Sequence, residues 1–136
     1  MSIPPPSPTC SFCNIAKAYP PIPPTNNQTA LPFPPNSPNT PQPTTHLILS
    51  TKHVIAFLDI MPLTQGHILV LPRSHYEKLS DIDIPVSREL GQWLPIISRV
   101  VMRTLSGNDD AADWDWNVVQ NNGIVVLRSG ITLSFY

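Results

Sequence analysis

The sequence predicts an α+β domain. Three observations carry this. Short β-branched apolar runs separated by turn residues fill residues 46–72. A longer stretch, residues 86–105, repeats its apolar side chains at three and four. One more strand-like run follows at residues 116–120. Antiparallel strands with one main helix satisfy that pattern.

The elements follow in order. Residues 46–50 form a short apolar run, and residues 54–58 form another that Asp59-Ile60-Met61-Pro62 ends. Residues 66–71 make the third run, closed by Pro72, which has no N–H to extend a ladder. The helix stripe is Leu90, Trp93, Leu94, Ile97, Val100, Val101 and Leu105. Asp81 and Asp83 precede it, where anions suit the positive end of a helix. Pro95 predicts a kink or a break into two pieces, and Gly107-Asn108-Asp109-Asp110 predicts the helix end.

Charge and proline are distributed unevenly. Of 18 prolines, 14 lie at or before Pro43, and Lys17 is the only charged side chain before Lys52. Proline fixes φ and removes donors, so residues 19–45 are expected to be a disordered, partly polyproline II insertion. Residues 1–9 are expected to be a disordered N-terminus. The domain is then residues 10–136, interrupted at 19–45, and its main body from residue 46 is long enough for one modest core.

Composition excludes several classes. A net charge of −1 leaves no basic face for nucleic acid. Two cysteines exclude a disulfide-rich secreted fold. No apolar stretch approaches the roughly 20 residues that span a bilayer, so no membrane partner is expected. The opening Met1-Ser-Ile-Pro-Pro-Pro lacks the basic and apolar regions of a signal peptide. An intracellular protein, cytoplasmic or nuclear, with reduced thiols is the expectation.

Four constellations carry chemistry. Cys10-Ser-Phe-Cys13 has metal-ligand spacing, yet alone it is half a zinc site, and two buried thiols explain it equally. A thioredoxin-like role needs a strand–CxxC–helix context, and the proline-rich flank argues against one. Phe57-Leu58-Asp59-Ile60 is a strand end entering a turn, with Asp59 suited to start it. His67 follows Gly66 at a strand start, where a satisfied structural histidine is the ordinary reading. Asn117 to Gly123 reads as a strand ending in an Asn122-Gly123 turn.

The run His53-Val-Ile-Ala-Phe-Leu-Asp-Ile-Met-Pro-Leu-Thr-Gln-Gly-His-Ile-Leu-Val-Leu-Pro-Arg-Ser-His75 closely resembles the histidine-triad (HIT) family of nucleotide hydrolases and transferases. The resemblance covers residues 10–18 and 46–123. It implies a HIT-like antiparallel sheet and a nucleoside pocket in which Phe57, Leu58 and Ile60 hold the base and Asp59 accepts from the ribose hydroxyls. It implies that Asn121 contacts ribose or phosphate, and that His67 supports the triad's hydrogen bonds. It implies a structural zinc on Cys10, Cys13 and His75, with the fourth ligand unmatched and His46 or His53 as substitutes. No organic cofactor is implied. A purine nucleotide such as AMP and a homodimeric partner are.

In that family a His-x-His-x-His strand supplies the nucleophile, and a nucleotidyl-histidine forms at the α-phosphate. Here residues 124–136 contain no His, Cys, Lys, Asp or Glu. Arg128 can hold a phosphate but cannot replace a nucleophile. The expectation is therefore a truncated, pseudoenzyme-like chain that binds nucleotide without turnover. Its tail, residues 124–127 and 131–135, is expected to form an aberrant strand or hairpin in the position of the lost strand. Intron read-through or alternative splicing would explain the tail, and a transcript colinear with it in every isolate would exclude that origin. The alternative is a non-catalytic interaction protein. Lys17-Ala-Tyr-Pro20-Pro-Ile-Pro23 fits an SH3-type ligand pattern, although proline-rich spacers match it easily.

Overall fold

The computed structural model describes residues 5–22, 45–107, 115–121 and 130–135. It is an α+β arrangement of two helices and one antiparallel sheet. Helix α1 (Ser11–Ala18) comes first, then strands β1 (Leu47–Ser50), β2 (Val54–Leu58) and β3 (Ile68–Pro72). Helix α2 (Ile84–Ser106) follows, then β4 (Trp116–Asn121) and β5 (Gly130–Phe135). The sheet order is β1-β2-β3-β5-β4, with every neighbouring pair antiparallel.

The strands lie within a residue or two of their predicted places because the sequence alternates two apolar faces rather than one. Val54, Ala56, Ile68 and Val70 meet Val86, Leu90, Ile97 and Met102 of α2, with Tyr76 beside them. Ile55, Phe57 and Leu71 meet Ala16 and Tyr19 on the opposite side, beneath α1. Both faces are covered here, so the strands read as continuous apolar runs. Each fully buried Val, Leu or Ile contributes about 1.5–3 kcal/mol by leaving water.

The one main helix expected is α2, and Ser11–Ala18 adds a short second helix that the sequence did not announce. Its apolar face is short and lacks an N-cap side chain bond, so local signals do not announce it. Packing against Ile55, Phe57 and Leu71 supplies what propensity does not. Of the kink or break expected at Pro95, the break is absent, because α2 runs unbroken from Ile84 to Ser106. The proline ring crowds the carbonyl four residues back, which belongs to Gly91 in open space. Burial of Leu90 and Ile97 on either side of Pro95 holds the helix in one piece.

The ends of α2 follow the sequence closely. Asp83 is the N-cap, and its carboxylate accepts from the Val86 N–H at 2.9 Å. Gly107 closes the helix at φ 66, a left-handed conformation that only glycine adopts without strain.

The tail strand is the informative element. β5 pairs with β3 through Ile68↔Leu133 and Val70↔Ile131, and with β4 from Trp116↔Phe135 to Asn121↔Gly130. Residues 131–135 thus take an interior place in the sheet, as the tail reading expected. Their hairpin partner is β4. Residues 124–127, the expected partner, lie outside the described residues, as do the Asn122-Gly123 turn and residues 23–44 of the proline-rich insertion. Of the expected disordered N-terminus, residues 5–9 are described, and the Cys10 N–H donates to the Ser7 carbonyl at 3.2 Å.

Candidate functional site

Three clusters surround the end of α1 and the two ends of β3. In the first, the sulfurs of Cys10 and Cys13 and a ring nitrogen of His75 lie within 4.8 Å of one another. Cys13 Sγ is 3.4 Å from His75 Nδ1. Both cysteines are buried, at 7% and 5% exposure, and His75 is half-buried. Cys10 is the N-cap residue of α1 and Cys13 lies in its first turn, so both sulfurs face the loop after β3. Tetrahedral zinc with bonds of about 2.0–2.3 Å needs ligands spaced about 3.3–3.8 Å apart; Cys13 and His75 stand at that spacing, and Cys10 Sγ lies within 4.8 Å of both. Among the described residues neither His46 nor His53 joins it.

The second cluster is one that sequence reasoning missed. Arg73 donates from Nε to the Thr51 carbonyl at 2.6 Å, from Nη1 to the Ala16 carbonyl at 2.7 Å, and from Nη2 to the Tyr19 carbonyl at 2.6 Å. Nη2 also donates to Ser50 Oγ. The guanidinium fork therefore closes the C-terminal end of α1, where carbonyls lack helical partners and a cation is favoured. The Ser50 hydroxyl is shared between the Tyr19 and Pro20 carbonyls, and the Ile22 N–H donates to the Ser50 carbonyl. An arginine after a strand-closing proline gave no signal for this. Its partners at the end of α1, the Ala16 and Tyr19 carbonyls, are backbone atoms more than fifty residues away.

The third cluster is the turn between β2 and β3. Asp59 Oδ1 accepts from the Met61 N–H at 2.9 Å, the Asx geometry expected of it. The Leu63 N–H donates to His67 Nδ1 at 3.1 Å. The neutral ring therefore carries its proton on Nε2, which lies 3.5 Å from Asp59 Oδ2. The Asp59 N–H donates to the His67 carbonyl, and the His67 N–H to the Thr64 carbonyl. His67 is buried and acts as the staple of this turn. The turn presents Ile60, Met61 and Leu63 to solvent at 77%, 79% and 80% exposure.

The pocket residues expected from resemblance are not all together. Leu58, Asp59 and Ile60 share one sheet edge and are reachable from solvent. Phe57 is 3% exposed and packs on Phe12 with ring centroids 6.1 Å apart, so it underlies this edge and does not line it. Asn121 pairs with Gly130, in the row that runs through Leu71 to Ile55. That row is four residues from Asp59 and three strands across, which is roughly 13 Å along the strands and about 14 Å between them. Asn117, which sequence reasoning did not single out, lies at the Asp59 end of β4, one residue beyond the Val118–Leu133–Ile68–Leu58 row.

Lys17 sits in the last turn of α1 and Tyr19 is buried. The first two residues of the SH3-type pattern, Lys17 and Ala18, are thus helical and not extended in polyproline II, and Pro23 lies outside the described residues. Among the described residues no helix is long and apolar enough to cross a membrane.

Comparison with known proteins agrees with this architecture. The HIT domain family matches residues 40–128, more than half of the chain, and its match ends before β5. An uncharacterised HIT-like protein of Saccharolobus solfataricus is 36% identical over 84 residues, covering 62% of this chain and 59% of that protein. An adenosine 5′-monophosphoramidase of Candida albicans is 31% identical over 77 residues, covering 56% and 49%. The chain thus spans about half the length of these curated relatives. Among solved structures, a histidine triad nucleotide-binding protein from Candida albicans superposes with a TM-score of 0.63 at 23% identity, covering 92% of this chain and 73% of that one. A HIT family protein from Bacillus anthracis gives 0.64 at 20% identity, covering 95% and 74%. At these identities the superpositions speak for the fold alone. The chain belongs to the HIT domain family.

Proposed function

We propose that this chain is a nucleotide-binding HIT protein without the family's nucleotidyl-histidine chemistry. One observation carries the reading. The strand between β3 and β4, where the tail completes the sheet, is Gly-Ile-Thr-Leu-Ser-Phe135 and holds no histidine. The chain's four histidines are His46, His53, His67 and His75, and no two stand in a His-x-His pair. Without an imidazole nucleophile at the phosphate, a nucleotide can be held but not transferred by that route.

Binding would centre on Leu58, Asp59 and Ile60. The carboxylate of Asp59 has about four lone-pair sites and uses one on Met61 and one toward His67, so each oxygen retains acceptor capacity for a ribose hydroxyl. The turn is already ordered by its own hydrogen bonds, so little entropy is lost on binding. Exposed Ile60 offers an apolar surface for a base, with Phe57 beneath as support. Asn117 is better placed than Asn121 to reach a ligand anchored at Asp59. Titration calorimetry with AMP tests this. Wild type should bind, and Asp59→Asn should bind about tenfold more weakly, close to 1.4 kcal/mol. Equal affinity in the two proteins would remove Asp59 from the site.

Zinc on Cys10, Cys13 and His75 fits the same reading as a structural ion that pins the start of α1 to the loop after β3. It would supply cross-linking of distant segments and no chemistry on the nucleotide. A homodimer is also supported. β4 ends the sheet with Val118 and Val119 about half exposed on its two faces. The groove of about 530 Å³ between Trp116, Val118 and α2 residues Leu94, Pro95 and Met102 continues this open apolar surface. A second copy pairing along β4 would cover it. Light scattering should report a dimer that Val118→Lys dissociates, and a monomeric wild type would exclude it.

A further inference from the structure

We infer that Cys10 and Cys13 form a reversible intrachain disulfide, a two-electron switch that competes with a metal ion for the same pair of sulfurs. The geometry is set by α1. Cys10 is its N-cap with extended φ −87 and ψ 117, and Cys13 lies in the first turn. Cα atoms three residues apart along a helical turn are about 5 Å apart, inside the about 4.4–6.8 Å that a disulfide tolerates. The two sulfurs already lie within 4.8 Å of each other, so side-chain rotation closes the gap. The sequence has two cysteines, so no third thiol within it competes for either sulfur.

The helix after the CxxC is what the sequence alone did not reveal; it supplies half of the strand–CxxC–helix context, and residues 5–9 before it form no strand. The cluster offers a metal three ligands among the described residues. A site with a fourth position outside the protein's own ligands is open to exchange, so an oxidant can compete for the sulfurs. Oxidation would not release α1, because Arg73 holds its other end through the Ala16 and Tyr19 carbonyls. It would free the His75 ring from Cys13 Sγ. The output is therefore loss of the metal and release of one loop histidine, with the fold retained.

Glutathione disulfide is a sufficient oxidant. One cysteine sulfur attacks it, forming a mixed disulfide, and the first glutathione leaves as a thiol with the cysteine's proton. The second cysteine sulfur then attacks the mixed disulfide, forming the Cys10–Cys13 bond, and the second glutathione leaves with the second proton. Two electrons pass from the cysteine pair to the glutathione pair.

The disulfide requires only the two sulfurs and does not depend on the zinc reading. The test equilibrates the metal-free full chain in glutathione and glutathione disulfide mixtures, quenches by alkylation, and reads the mass of the peptide holding both cysteines. In reducing mixtures both thiols should alkylate, and in oxidising mixtures neither should, with the bond inside that peptide. His75→Gln keeps both thiols and should still oxidise, and Cys13→Ser should instead collect a glutathione adduct on Cys10. Zinc chloride at about ten times its dissociation constant should slow oxidation about tenfold by mass action in the wild type and less in His75→Gln. Interchain dimers, stable glutathione adducts on the wild type, or full alkylation under oxidising conditions overturn the disulfide. Oxidation that zinc fails to slow overturns the competition and the zinc assignment, while the disulfide stands.

Discussion

Replacing Arg73 with methionine should undock α1 while leaving the α2 side of the sheet in place. Methionine keeps the apolar stem and removes the guanidinium, which makes hydrogen bonds of 2.6, 2.7 and 2.6 Å to three backbone carbonyls. Hydrogen bonds from a charged donor contribute about 1.5–3 kcal/mol each. The side chain is half-buried, so water recovers part of the loss, and the carbonyls at the end of a helix are solvated readily. The expected loss is about 2–4 kcal/mol, below the sum of three such bonds because water replaces part of each. Urea denaturation gives the global value, and amide hydrogen exchange locates it. Exchange should accelerate over α1 before it does over α2, because α2 packs on the other face of the sheet. Arg73→Lys should recover only part of the stability, because a single ammonium cannot fill a three-carbonyl fork. A loss under about 0.5 kcal/mol, with α1 protection unchanged, would refute the clamp.

Further outcomes follow from α2 and its surroundings. Pro95→Ala restores a helical N–H and should stabilise the chain by about 1–3 kcal/mol in thermal unfolding, up to the cost of an interior proline. Burial, with the Asp83 carboxylate beside it, raises the Tyr76 hydroxyl above its ordinary value of 10.0. The fold therefore favours the protonated phenol. That contribution is fully present below pH 10.0 and is lost as pH rises through the raised folded value. Unfolding free energies measured above pH 10.0 should fall more steeply for wild type than for Tyr76→Phe. Asp83→Ala removes the N-cap bond to Val86 and should cost about 1 kcal/mol in the same assay.

The sheet and α2 were legible because their signals are local. Alternating apolar runs, turn residues and the caps Asp83 and Gly107 all sit where the elements begin and end. α1 was not legible, because its stability comes from Phe57 and Leu71 and from Arg73, all far away in sequence. The cysteine pair and His75 were named by resemblance, and the structure brings them together. The residues expected to form a nucleoside set lie only partly together. Leu58, Asp59 and Ile60 are contiguous and so share one edge, whereas the register that separates Asn121 from them is a long-range property no local pattern encodes. His67 was readable as a structural histidine, but its bond to the Leu63 N–H depends on the path of the intervening turn.

The most direct test of the account mixes the full chain with an adenosine 5′-phosphoramidate, quenches in denaturant, and measures protein-bound nucleotide and released AMP together. The account predicts nucleotide bound before the quench and sensitive to Asp59→Asn, with no covalent adduct after it and no AMP above the uncatalysed rate. A nucleotidylated histidine in the quenched protein, with AMP released in step, would contradict it.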